Sequence, residues 1–269
     1  MPQTVNVTTG PDGLPLSLNE AKQHLRVTVD DDNRYIESLI AAAVVWIENF
    51  TARALITRTL GFSILSFPAD DKPIICPRVP LRKVESIKYY DTAGVLQTLA
   101  TTEYEVFAGE GGAGEIRLKP DKSWPSVQDR RDAVTVSAIV GYATKIDATT
   151  ATDLLSTSGH PYAIGDKVRF YVSGDQTAQL PKLVKANFDY TVATTGFTTS
   201  AFTIGLDLTD VGSGDLYAGE VPRPLLSAML LLISHWYQHR ESVVVGITNQ
   251  PLAQAADALV WPYRARIFA

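Results

Sequence analysis

Cysteine is nearly absent. Cys76 is the sole thiol in 269 residues, so no intrachain disulfide can form. Set beside Ile74 and Ile75, it reads as a small buried hydrophobe. An excess of positive charge is also missing: 24 Lys and Arg are outweighed by 29 Asp and Glu, for a formal net charge of −5. That balance gives no support to a sequence-independent DNA binder, whose phosphate contacts require the opposite sign. A long apolar run is lacking too. The strictly apolar stretch Met229–Ile233 lies between Ser227 and Ser234, and His235, Gln238, His239, Arg240 and Glu241 follow closely. A bilayer helix needs about 20 mostly apolar residues, so no membrane partner is expected. The opening MPQTVNVTTGPDG has neither the basic residues nor the apolar core of a signal peptide, which favours synthesis in the cytoplasm. What is present, 45% hydrophobic and 20% charged residues, is an ordinary globular balance.

The helices announce themselves by period and caps. Ser17-Leu18-Asn19-Glu20 has the spacing of a capping box, with Leu18, Ala21 and Leu25 following on one face. After Asp30-Asp31-Asp32, a helix is expected from Asn33 to Thr51. Its apolar positions Ile36, Leu39, Ile40, Ala43, Val44, Ile47 and Phe50 recur at three and four. The aspartates sit where the helix dipole favours negative charge, and they lack the alternating oxygen ligands and central glycine of a calcium loop. From Ile56 to Tyr142 the pattern changes to short β-branched runs between glycines and prolines. Strands are expected over Thr59–Phe67, Ile74–Cys76, Val84–Tyr90, Tyr104–Phe107, Glu115–Leu118 and Ala133–Val140, with DTAGV as a hairpin turn after Tyr90.

The polar KIDATTATD that follows Tyr142 reads as a linker or as the entry into something separate. Beyond it, Lys167–Tyr171, Tyr190–Ala193 and Ala201–Leu206 read as strands of a separate all-β piece with a turn near Leu183. Helical period returns at Val221-Pro222, where proline costs little because its missing donor is not needed. Leu225, Leu226, Met229, Leu230, Leu232, Ile233, Trp236 and Tyr237 cover more than one narrow stripe, which implies a helical cluster or a second contact surface. QPLAQAADALVWPYRARIFA holds another short helix and a tail whose aromatics should dock on their own subunit or a neighbour.

No constellation for chemistry emerges. His235 and His239 share a helical face, but a zinc-protease helix needs Glu after the first histidine, and Trp236 stands there. Glu20 and His24 are four apart, where a carboxylate-bridged metal helix needs three. Ser156, Ser158 and His160 lie in a turn-like run rather than a nucleophile elbow. GEGGAG lacks the Lys-Ser/Thr and the helix of a phosphate loop. Neither catalytic residues nor a cofactor is expected. A metal-dependent enzyme would have to rest on His235 and His239. Arg53, Arg58, Arg78, Arg82, Lys83, Lys88, Lys119, Lys122, Arg130 and Arg131 read as a solvated face, or as a surface near phosphate or an acidic partner once subunits repeat about an axis.

Order and spacing carry a resemblance. LSLNEAKQHLRV (16–27), DDNRYIESLIAAAVVWIENFTARALITRTL (31–60), PRVPLRKVESIKYYDTAGVLQTL (77–99), GEIRLKPDKSWP (114–125), the strand ending in VGY (140–142) and VPRPLLSAMLLLISHWYQHRESVVVG (221–246) resemble the tailed-bacteriophage head–tail connector family. The resemblance implies a structural virion protein at the neck: an adaptor ring, typically dodecameric, beneath the portal, continuing the DNA channel toward the tail. Its implied partners are copies of itself, the portal protein, a tail-side adaptor, stopper or tail-completion protein, and the passing double-stranded DNA without sequence preference. By the same likeness Trp46, Phe50 and Arg53, at the long helix and its exit, and Trp236, Tyr237, Arg240 and Glu241, at the end of the closing helix, are packing and assembly positions. DALVWPYR, with Trp261, Tyr263 and Arg264, is similar to the family's C-terminal tail.

Simpler relatives pass from the GY strand to the VP helix in a few residues; here Ala143–Glu220 intervenes. Within it, Gly165, Asp166, Val168 and Phe170 resemble the GD-x-V-x-F strand of a small β-domain of phage tail and decoration proteins, and Phe202 and Ile204 a later strand. The expectation is an α+β protein. Residues 1–150 would form the N-terminal helices and an antiparallel β module of a helical connector core, 151–217 an inserted all-β barrel or sandwich, and 218–269 the closing helix and tail. The alternative virion role is a tail-completion or decoration protein.

Overall fold

The computed structural model describes residues 4–69, 72–108, 114–157, 160–173, 178–185, 188–239 and 253–265. It is a mixed α+β fold of helices and antiparallel sheets in two compact units, and these do not follow chain order. One comprises Met1–Pro11, Ala52–Tyr142 and Ala265–Ala269, the other Asp12–Thr51 and Ala143–Arg264.

The first unit holds β1 (Thr4–Thr9), β2 (Arg58–Ile64), β3 (Ile74–Ile75), β4 (Leu81–Tyr90), β5 (Leu96–Thr98), β6 (Tyr104–Phe107), β7 (Glu115–Leu118) and β8 (Val134–Val140). They make an antiparallel sheet ordered β1-β2-β8-β4-β5 and a smaller one ordered β3-β7-β6. Along β4 the buried residues are Leu81, Val84 and Ile87, a spacing of three where a strand should alternate by two. Two bulges explain it: register shifts between Leu81 and Lys83 and between Val84 and Ser86 each add a residue, which returns the next apolar side chain to the core. The β4–β5 turn is built as its residues predict. The Asp91 carboxylate accepts from the backbone of Ala93 and Val95, and Gly94 takes φ 80°. The core gathers Leu60, Phe62, Ile87, Val134 and Val136, with Trp124 stacked on Phe67 at 4.8 Å.

Cys76 lies in this core, fully buried, and burial pushes its thiol up to about 12. Two outcomes are expected. Thiol reagents at pH 8 should label it only as fast as the unit opens, because the thiolate is the nucleophile. Stability should also fall as pH rises from about 9, the unfolded value, to about 12, because the unfolded chain gives up the proton first. Labelling in the native state at the rate of a free thiol would contradict the burial.

The second unit begins with α1 (Leu18–Leu25) and α2 (Asn33–Thr51). The capping box is formed: Glu20 N–H donates to Ser17 Oγ at 3.2 Å, and Ser17 N–H donates to Glu20 Oε2 at 2.8 Å. Seven strands follow, β9 (Thr144–Thr149), β10 (Leu154–Ser156), β11 (Lys167–Val168), β12 (Phe170–Ser173), β13 (Tyr190–Thr191), β14 (Ala201–Phe202) and β15 (Asp215–Ala218). The supposed linker KIDATT is thus a strand, β9, stabilised by antiparallel pairing with β15 far along the chain and with β10. The sheets run β12-β15-β9-β10-β14 and β11-β13, and among the described residues none closes into a barrel. The residues of the GD-x-V-x-F pattern earn their places: Gly165 takes φ 91°, Asp166 accepts from Ala163 N–H, and Val168, Phe170, Phe202 and Ile204 are buried together. The unit ends with α3 (Arg223–Gln238), α4 (Ala253–Val260) and a 3₁₀ turn, Trp261–Tyr263.

Candidate assembly surface

Helix α2 buries most of the stripe its period predicts, Ile36, Leu39, Ile40, Ala43 and Ile47, packing on α1 and α3, whereas Val44 and Phe50 of that stripe are only half-buried. The adjacent stripe is also apolar. Ala41, Ala42, Val45, Trp46, Asn49 and Phe50, with Trp236 from α3, line an open groove of about 730 Å³. Its small residues leave room and its aromatics wall one end. The rings of Trp46 and Phe50 stack at 5.1 Å with 9° between planes. Trp261, 61% exposed, stands 6.2 Å from Phe50, and the Arg264 guanidinium lies 5.7 Å from the Phe50 centroid and 5.5 Å from that of Trp261. An exposed tryptophan next to Phe50, at the edge of a groove lined by Val45 and two alanines, makes an apolar patch of the kind that marks a contact site.

The end of α3 is fixed to the start of α2. Tyr237 Oη donates to the Asp32 carboxylate, its ring lies 6.0 Å from Tyr35, and Tyr35 Oη donates to the Trp236 carbonyl at 3.2 Å. That last bond gives a partner to a carbonyl in the last turn of the helix, where intrahelical donors run out. Asp32 therefore holds a neighbouring helix as well as facing the dipole. Asp30 is engaged by Lys22 at 2.6 Å and by Asn33, which hold its carboxyl below the usual carboxylate range.

Of the residues singled out by sequence, Trp46, Phe50 and Trp236 line the groove, Trp261 and Arg264 stand next to Phe50, Tyr237 packs on the start of α2, and Tyr263 is half-buried in the turn that carries Trp261. Arg53 does not join them. It belongs to the β unit, 5% exposed, with Nη1 donating to Tyr142 Oη at 2.7 Å. Arg240 and Glu241 lie outside the described residues, as does most of GEGGAG. Val45 and Tyr35 were not foreseen: Val45 falls outside the buried stripe, and nothing local marks Tyr35 as a partner of α3.

His235 and His239 do share a face, ring centroids 4.9 Å apart. Among the described residues, however, no three His, Cys, Asp or Glu side chains are placed to hold a metal ion. The basic residues are partly occupied within the fold. Lys122 pairs with Glu103 at 3.2 Å, and Arg130 stacks 3.8 Å over Tyr90.

Residues 15–105 match the family model described as phage gp6-like head-tail connector protein. That segment belongs to the head–tail connector family. It spans α1, α2 and the strands from β2 to the start of β6, so the α2 residues that line the groove lie within the matched segment, whereas α3, α4 and the β9–β15 sheets lie beyond it. Over 99% of the chain, and 98% of each counterpart, the fold is similar to that of chains in three solved structures. These are the virion of a native gene transfer agent particle (TM-score 0.59, 15% identity), the neck of an empty particle computed with C6 symmetry (0.57, 16%) and the neck of a native particle computed with C12 symmetry (0.54, 16%). No curated protein matches the sequence.

Proposed function

We propose that the protein is a structural subunit of a virion neck, a head–tail connector that assembles with copies of itself into a ring beneath the portal and continues the DNA channel toward the tail. The observation that carries this is the fold shared along nearly the whole chain with neck-particle chains, joined to the connector segment at residues 15–105. The C12 symmetry of one such neck supports a dodecameric ring. Portal protein on one side and a tail-side adaptor, stopper or tail-completion protein on the other are the partners this position implies. DNA passes through without sequence preference, which suits a subunit of net charge −5, because tight phosphate contacts would retard sliding.

In this reading Trp46, Phe50, Trp236, Tyr237, Trp261, Tyr263 and Arg264 pack the subunit and present its assembly face, with Arg240 and Glu241 next along the chain, and Arg53 braces the β unit. Residues 151–217 form an inserted accessory domain of sandwich type, and the pairing of Thr144 with Ala218 explains how a long insertion is accommodated, since its two ends leave adjacent strands.

Cryo-EM of particles carrying a tag on this chain tests the assignment. Tag density in a ring between portal and tail is the expected result. Density over the capsid shell or along the tail tube would make it a decoration or tail protein instead, and absence from the particle would end the proposal.

A further inference from the structure

The β12–β15–β9 sheet is two-faced. Phe170, Leu216, Ala218 and Ile146 point into the core of the inserted region, and the intervening Tyr171, Ser173, Tyr217 and Lys145 point the other way. That second face is occupied by the segment leading into α1. Tyr217 is fully buried, with its ring stacked on its cross-strand partner Tyr171 at 5.0 Å, and its Oη donates to the Leu14 carbonyl at 2.9 Å. Ser173 Oγ donates at 2.8 Å to Glu20 Oε2, the same oxygen that receives Ser17 N–H and Ser17 Oγ in the capping box. The chain also passes close at Gly13: a Cβ there would lie 2.3 Å from Tyr217 Oη. Burial raises both phenols above their ordinary range, so Tyr217 keeps its proton and its role as donor.

We infer that the Gly13–Glu20 segment is a latch that fixes the inserted sheet rigidly to the helices, so that displacement of the insert is passed to α1 and through it to α2 and α3, on which α1 packs. An insert joined only through its two strand ends would be a tethered appendage. Here the carboxylate that caps α1 also holds the sheet, so neither can move without the other.

Hydrogen–deuterium exchange on the full-length protein tests this through a size-complementation pair. Gly13→Ala drives a methyl into Tyr217 Oη and is expected to raise exchange about tenfold or more in both α1 and β12/β15, while β2 and β8 stay protected and so report an intact fold. Adding Tyr217→Phe removes the obstructing oxygen, and since the next contacts are at 3.1 and 3.2 Å, the double variant should exchange more slowly than Gly13→Ala alone. Ser173→Ala, which leaves the capping box intact, should loosen α1 as well as β12, about tenfold for loss of a bond to a charged acceptor. Faster exchange confined to residues 12–17, or a double variant no better protected than Gly13→Ala, would overturn the latch.

Discussion

Replacing Gly141 by alanine is expected to destabilise the β unit severely. Gly141 follows β8 with φ 132°, a region open to glycine and strained for any L side chain. A Cβ there would lie 2.6 Å from Thr57 Cα, 2.7 Å from Thr57 N and 2.8 Å from Ile56 C. All three atoms are backbone, so no rotamer change relieves the overlap. The neighbouring bonds leave the chain little room, because Gly141 N–H donates to Pro80 O at 3.0 Å and Tyr142 N–H to Leu55 O at 3.2 Å. Backbone strain of about 1–3 kcal/mol adds to the loss of pairing where β2 and β8 meet, so the total is about 3 kcal/mol or more, large against the usual margin of a domain. Denaturant unfolding followed by the buried Trp124 reads it. Gly10→Ala, where nothing lies within 4 Å of the new methyl, should stay within about 0.5 kcal/mol of the parent. A Gly141→Ala protein as stable as the parent would mean the approach of Thr57 is not as close as described.

The tripeptide VGY around Gly141 was visible as a strand end, but the need for glycine was not, since it arises from Ile56 and Thr57, more than eighty residues earlier in the chain. The same division runs through the whole fold. Helix α2 occupies Asn33–Thr51 as its period and flanking aspartates predict, and β6 and β7 match their expected limits, because those signals are local. Strand β9 was hidden in a threonine-rich polar stretch: Ile146 is the only large apolar side chain it buries, and what makes it a strand is its pairing with β15. Strand β1, TVNVTT, escaped for a related reason. It is an edge strand whose Val5 and Val7 are 45% and 53% exposed, so its alternation points to no core. At the candidate surface, aromatic residues in a short tail could be marked as docking groups from composition alone. Their meeting with Phe50 could not, because it depends on how α4 returns the chain to α2.

The second large effect is expected from Val45→Asp. Val45 is 57% exposed and lines the groove on α2, so the subunit loses little packing and should remain folded; the helix-propensity cost is below about 1 kcal/mol. Assembly should suffer far more. If a second copy covers this face in the ring, as the proposed function requires, the new carboxylate is trapped beside Ala41, Ala42 and Trp46 with Asn49 as the single polar group lining the groove. An unpaired charge at the centre of an apolar contact costs on the order of 2–5 kcal/mol, roughly 30-fold or more in each association step. In a closed ring every copy uses the contact, so the losses multiply around the circle. Native mass spectrometry of rings assembled on portal, together with the fraction of tailed particles in complementation, should both fall steeply. Gln23→Asp, which adds the same charge at an exposed position on α1, should leave both unchanged. Complete rings from Val45→Asp subunits would remove the α2 face from the contact between copies, and would leave Trp261 and Arg264 as a surface for some other neck component.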